Sequence, residues 1–172
     1  LVVPKVSSEN RPIMPIGFEP ERVIASGSAL LVPQASIFHF AVLTSAMHMA
    51  WMRAVCGRLE SRYQYSASIV YNNFPWPEPT ATQSAAIDVA GQAVLDARSR
   101  YPESSLADLY DPLAMPTELC KAHLAVDKAV DAAYGYKRGK DDPARVAFLF
   151  ELYERYNSLL PAAAPAKGRR SR

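Results

Sequence analysis

The run from Arg58 to Tyr71 constrains this chain more than any other segment. Its odd positions are Leu59, Ser61, Tyr63, Tyr65, Ala67, Ile69 and Tyr71. Its even positions are Arg58, Glu60, Arg62, Gln64, Ser66 and Ser68, before Val70 closes the run. Successive side chains of a strand point to opposite faces. The spacing therefore predicts one strand with an aromatic, apolar face and a second face of Arg, Glu, Arg, Gln, Ser and Ser. The apolar face needs a core above it. The polar face is open to two readings. It is the wet side of an antiparallel sheet, or it is a ladder for base edges, since Arg suits guanine, Glu the cytosine amino group and Gln adenine.

The flanking sequence places this strand in an α+β chain. Residues 1–33 read as short strands: Leu1 to Val6, Pro12 to Phe18 and Arg22 to Val32. Prolines at 4, 12, 15, 20 and 33 confine them to edges or short pieces. Gly27, between Ser26 and Ser28, marks a bulge or the close approach of another backbone. One helix is expected from Ser36 to Cys56, with Ile37, Phe40, Leu43, Met47, Trp51 and Val55 as its buried stripe and Gly57 ending it in the left-handed conformation. Phe74-Pro75-Trp76-Pro77 stops regular structure. It reads either as a rigid plug between two halves or as a wedge against bases. A boundary near residue 80 separates a small mixed or antiparallel β domain with a packed helix (1–80) from an all-α region (81–160). Helices are expected at 82–98, from Pro116 or Thr117 to Gly135, and after Asp142, which caps with Pro143 in the first position. Residues 161–172 carry no core-forming side chains and read as a disordered tail.

Charge and missing motifs narrow the function. The net charge is +2. Residues 1–80 hold six Lys/Arg against five Asp/Glu and residues 81–172 thirteen against twelve, so neither half is a basic module by itself. Cys56 and Cys120 are far apart and lack metal-ligand spacing, which suits reduced residues in a cytoplasmic protein. No run approaches the ~20 apolar residues of a membrane span, and no secretory signal pattern is present. The opening Leu1-Val2-Val3-Pro4 is already strand-like, as expected of a piece of a longer polypeptide. No glycine-rich loop follows a strand. His39, His48 and His123 are isolated and read as hydrogen-bonded packing residues. Asp127 and Asp131 read as a solvated helix face. No catalytic constellation and no cofactor site are expected within these residues.

Several segments together resemble one family. They are Ser7-Ser8-Glu9-Asn10-Arg11, Phe40 to Trp51 running into Gly57-Arg58-Leu59, Tyr65-Ser66 followed by Ile69 to Pro77, Leu109-Tyr110-Asp111-Pro112 through Met115-Pro116, Ala122-His123 and Tyr134-Gly135. The set resembles the C-terminal part of MmeI-like (type IIL) restriction–modification proteins. The resemblance implies a target recognition domain fragment followed by a helical region, with double-stranded DNA and an upstream methyltransferase domain of the same chain as partners. The parent would be an adenine-N6 methyltransferase using S-adenosylmethionine, with its catalytic motifs outside these residues. It also implies base readout by Glu60, Arg62 and Gln64, with Ser28 (beside Ser26 and Gly27) in a neighbouring strand. Lys5, Arg11, Arg53 and Arg58 are the expected phosphate contacts. The alternative is an interaction or scaffold module whose polar ladder merely faces solvent.

Overall fold

A computed structural model describes residues 1–20, 22 and 24–158 of the chain. The expected disordered tail at 161–172 lies outside the described residues. The order of elements is β1 (Val2–Pro4), β2 (Val6–Ser7), β3 (Ala29–Leu31), α1 (Ile37–Thr44), α2 (Ala46–Val55), β4 (Gly57–Leu59), β5 (Arg62–Gln64), a π-helical turn (Ala67–Tyr71), α3 (Ala81–Ser99), α4 (Leu106–Leu109), α5 (Thr117–Tyr134) and α6 (Asp142–Ser158). The α+β expectation holds, with fewer and shorter strands than the sequence suggests. β1 pairs antiparallel with β3, and β2, β5 and β4 form a second antiparallel sheet in that order. Pro12 to Phe18 contributes one bridge, Val2 to Gly17, because its prolines remove the donors a strand needs.

The long helix expected from Ser36 to Cys56 is two helices. Ser45 leaves the helical region (φ −72°, ψ 157°) and its hydroxyl accepts from the His48 amide. The Asp127 carboxylate of α5 accepts from the Ala46 amide at 2.6 Å. A side chain 81 positions away thus caps α2, and no local spacing could announce it. At the other end of α2, Cys56 is the cap and is extended. Gly57 does not take the left-handed conformation that the sequence predicts but opens β4. A Cβ there would meet the Gln64 side chain at 3.3 Å, so the glycine serves close packing.

The two halves share one core. α1 packs on α3 and α5, and α2 on α5 and α6. Trp51, Phe40, Leu43, Met47, Ile87, Leu119 and Leu149 are buried together. Gly91 of α3 allows the close crossing with α1, since a Cβ would stand 2.8 Å from the Ile37 side chain. The seam is therefore made by α1 and α2, not by the Phe-Pro-Trp-Pro segment. Phe74 instead packs inside the first half, against His48 at 4.5 Å and Trp51 at 6.3 Å between centroids. Trp76 lies edge-on to His39, Tyr71 and Phe74. The segment's tie to the helical half is the Tyr134 hydroxyl donating to the Pro75 carbonyl at 2.7 Å.

The helices of the second half match their expected positions closely. Gly135 ends α5 at φ 63°. Asp141, rather than Asp142, accepts from the Ala144 amide at the start of α6. Asp142 is occupied with Arg53. Asp131 is not a solvated carboxylate. It takes both terminal nitrogens of Arg145, whose side chain is 3% exposed. Among the described residues no helix is long and apolar enough to cross a membrane.

Candidate nucleic-acid interface

The predicted strand at 58–71 is folded back on itself. β4 and β5 pair with Leu59 opposite Arg62, Arg58 opposite Tyr63 and Gly57 opposite Gln64. Glu60 and Ser61 are the two-residue tip, and Glu60 has a left-handed φ of 59°. Ser66 then accepts from the Ile69 amide and starts the π-helical turn instead of continuing the strand. Asn73 closes that turn by donating to the Ser68 and Ile69 carbonyls. Alternation survives only in β5 and the next residue, where Arg62 and Gln64 are exposed and Tyr63 and Tyr65 are buried.

The hairpin also inverts the parity of the ladder. Directly opposed residues share a face. With a two-residue tip, even positions of β5 share a face with odd positions of β4. Arg62 and Gln64 therefore stand with Leu59 and Gly57. Arg58, which the alternation placed beside them, lies on the other face, its guanidinium 4.2 Å above the Tyr63 ring. Its Nη1 also donates to the Ser61 carbonyl at 3.0 Å, bracing the tip.

Glu60 and Arg62 meet at 2.9 Å in an exposed ion pair. They do so across a turn and not along one strand face. Both point their polar ends to solvent, with side chains 77% and 45% exposed. Gln64 lies over the bare backbone of Gly57. One neighbour carries no signal in the local sequence: Glu9 of the Ser7–Arg11 loop. A hydrogen bond from Ser61, with Arg58 and Arg62 nearby, holds its carboxyl below the usual carboxylate range. The tip thus carries two arginines and two carboxylates. Glu9 arrives from about fifty positions upstream through the pairing of β2 with β5, so no local pattern could have placed it.

The hairpin is anchored from beneath. The Tyr65 hydroxyl meets His48 Nε2 of α2 at 3.0 Å. Burial pushes the His48 imidazole down to about 3 and the Tyr65 hydroxyl upward. His123 is likewise buried, pushed down to about 3 and joined to the Tyr110 hydroxyl at 2.6 Å. His39 accepts from the Ser36 amide at the start of α1. All three histidines are hydrogen-bonded packing residues, as expected.

The other expected contacts are distributed unevenly. Lys5 joins the two sheets: its amide donates to Ser28, its carbonyl accepts from Tyr65, and its Nζ donates to Gly27 at 2.7 Å. Ser28 shares a 2.5 Å hydrogen bond with Ser26 on an exposed turn, two strand spacings from Tyr65, or roughly 10 Å. A Cβ at Gly27 would meet nothing within 4 Å, so no close backbone approach requires a glycine there. Arg11 is half-buried. Arg53 stands apart from the hairpin group. It donates to both Asp142 oxygens, at 2.6 and 3.0 Å, and to the Pro12 carbonyl. It therefore holds α2, α6 and the first segment together.

Two family models cover nearly all of the chain. The model described as "MmeI, target recognition domain" matches residues 1–78. The model described as "MmeI, C-terminal domain" matches residues 80–161. The chain belongs to the MmeI-like family. A solved structure of the type IIL restriction–modification enzyme MmeI in complex with DNA is 54% identical and superposes with a TM-score of 0.90. That match covers 92% of this chain and 21% of MmeI. DNA methyltransferase A of Bacillus subtilis (strain 168) is 40% identical over 154 residues, 90% of this chain and 17% of the relative. The chain thus spans about a fifth of the length of these two relatives.

Proposed function

We propose that residues 1–80 are the C-terminal portion of a DNA target recognition domain, and that residues 81–160 are the helical region that braces it. The larger MmeI-like protein would be a restriction–modification enzyme that methylates adenine N6. S-adenosylmethionine and the methyl-transfer chemistry would belong to an upstream domain of the same polypeptide, and these residues would recognise double-stranded DNA without a catalytic step of their own.

The observation that carries this proposal is the exposed Glu60–Arg62 pair at the tip of a braced hairpin, inside the part matched by the target recognition model. Arginine donates to guanine O6 and N7, and glutamate accepts from the cytosine amino group. One G·C pair presents both edges side by side in the major groove. Two side chains already 2.9 Å apart can open onto that pair without moving the backbone. Gln64 and Ser28 would read neighbouring positions, with Lys5, Arg11 and Arg58 on phosphates. Arg53, spent on Asp142, would contribute by holding the fold.

The test exchanges the polarity in the full-length polypeptide, Glu60→Lys with Arg62→Asp. Sequencing of modified sites should show the preference turning from one G·C orientation to the other at a single position. Each contact should contribute about 1–3 kcal/mol of discrimination. A scaffold whose polar tip only faces solvent would leave the modified site unchanged, and that outcome would reject the base-reading proposal.

A further inference from the structure

The hairpin leaves one basic surface of the molecule unexplained. A groove of about 850 Å³ lies between α5 and the connection from Gly135 to Asp141. Its lining holds four cations, Lys128, Lys137, Lys140 and Arg145, and two acids, Asp127 and Asp131. The acids are turned to internal work. Asp131 is held by Arg145, and Asp127 accepts from the Ala46 amide. Lys128, Lys137 and Lys140 extend from the groove wall, and among the described residues their ammonium groups make no ion pair or hydrogen bond. The lining carries four positive and two negative side chains. The concavity therefore holds a local excess of positive side chains. Ala46, Ala132 and Gly135 also line the groove, and they let a bulky backbone approach.

We propose that this groove is a second DNA contact, holding the phosphodiester backbone of the same duplex that the hairpin reads. The proposal rests on the DNA-recognition reading above. Geometry links the two surfaces. α2 starts at Ala46 in the groove and ends at Val55, two residues before the hairpin opens at Gly57. Its ten residues rise about 15 Å. That length compares with four to five base steps at roughly 3.4 Å each, and we place the backbone contact within about one helical turn of the pair read by the hairpin. Arg53 clamps α2 to α6 through Asp142, which keeps the spacing rigid. Phosphate contacts position a protein without reading sequence. The groove should therefore supply affinity and the hairpin should supply choice.

The test is made in the full-length polypeptide with Lys128, Lys137 and Lys140 all changed to Gln. Binding to a duplex carrying the preferred site and to a scrambled duplex is followed by anisotropy over a salt series. The slope of log K against log salt should fall by about 2–3, at roughly 0.9 for each phosphate no longer neutralised. It should fall alike for both duplexes, so their affinity ratio is unchanged. Arg155→Gln, an exposed change further along α6, should leave the slope alone. Methylphosphonate substitution should weaken binding at phosphates within about one turn of the pair read by the hairpin, and the triple variant should be insensitive to it. A parental slope in the triple variant overturns the proposal, and so does a lower slope accompanied by altered sequence preference. If the lysine variant is silent while the Glu60/Arg62 exchange still moves the preferred site, the groove proposal alone fails. If neither changes anything, the DNA-recognition reading fails with it.

Discussion

Position 60 offers a test in which the sign of one difference decides between two local structures. Glu60→Gly and Glu60→Ala both delete the carboxylate, so both remove the exposed pair with Arg62, which contributes at most about 1 kcal/mol. That term cancels when the two variants are compared. What remains is backbone. At the observed φ of 59° an L-residue costs roughly 1–2 kcal/mol that glycine does not. Glycine returns part of this through its greater freedom in the unfolded chain. The Gly variant should come out more stable than the Ala variant by about 1 kcal/mol. With about 2.1 cal/mol/K per residue of unfolding entropy over 172 residues, that is a difference of about 3 °C in Tm. In an extended strand the order reverses, because glycine there is worse than alanine by roughly 0.5–1 kcal/mol. Parallel thermal melts and urea titrations would measure the difference. A more stable Ala variant would refute the hairpin and restore the continuous strand. If the hairpin stands, selection has placed a glutamate where glycine would be more stable, as expected of a side chain kept for contact rather than for folding.

Other outcomes follow from the same structure. Asp131→Ala should cost about 3–5 kcal/mol in urea unfolding by stranding the buried Arg145 charge, and pairing it with Arg145→Met should recover much of the stability. Phe74→Ala, at a site 4% exposed, should cost about 3–5 kcal/mol, and Trp76→Ala, half-buried, should cost distinctly less. His48 and His123 are held neutral by burial, pushed down to about 3 from an ordinary 6.5. A depressed histidine pKa gives stability that is complete above pH 6.5 and declines as the pH falls toward 3. Unfolding free energy should therefore drop below pH 6.5 by about 1.4 kcal/mol per unit for each histidine, and a flat profile between pH 6.5 and 5 would contradict their burial.

Features that depend on near neighbours were legible in the order of residues. The helices of the second half were legible because their apolar stripes and Gly135 act within one or two turns, although the cap of α6 is Asp141 and not the expected Asp142. The packing role of the histidines and the burial of Tyr63 and Tyr65 were legible for the same reason. The candidate readers Glu60, Arg62 and Gln64 could be picked out by chemistry, since side-chain type is local. What they face was not local. A strand that alternates over fourteen positions and a hairpin with a two-residue tip share the same pattern until pairing with β2 and the burial of Val70 beside Trp51 choose between them. Ser45 breaks a helix that its neighbours would continue, because Asp127 caps the break from 81 positions away. Arg53 is a strut and not a free cation because Asp142 reaches it across 89 positions. Glu9 joins the tip, and three lysines of unremarkable spacing become one basic groove, only when the chain is folded. Charge and hydrogen bonding act over a few ångströms, and which groups come that close is decided by the tertiary structure.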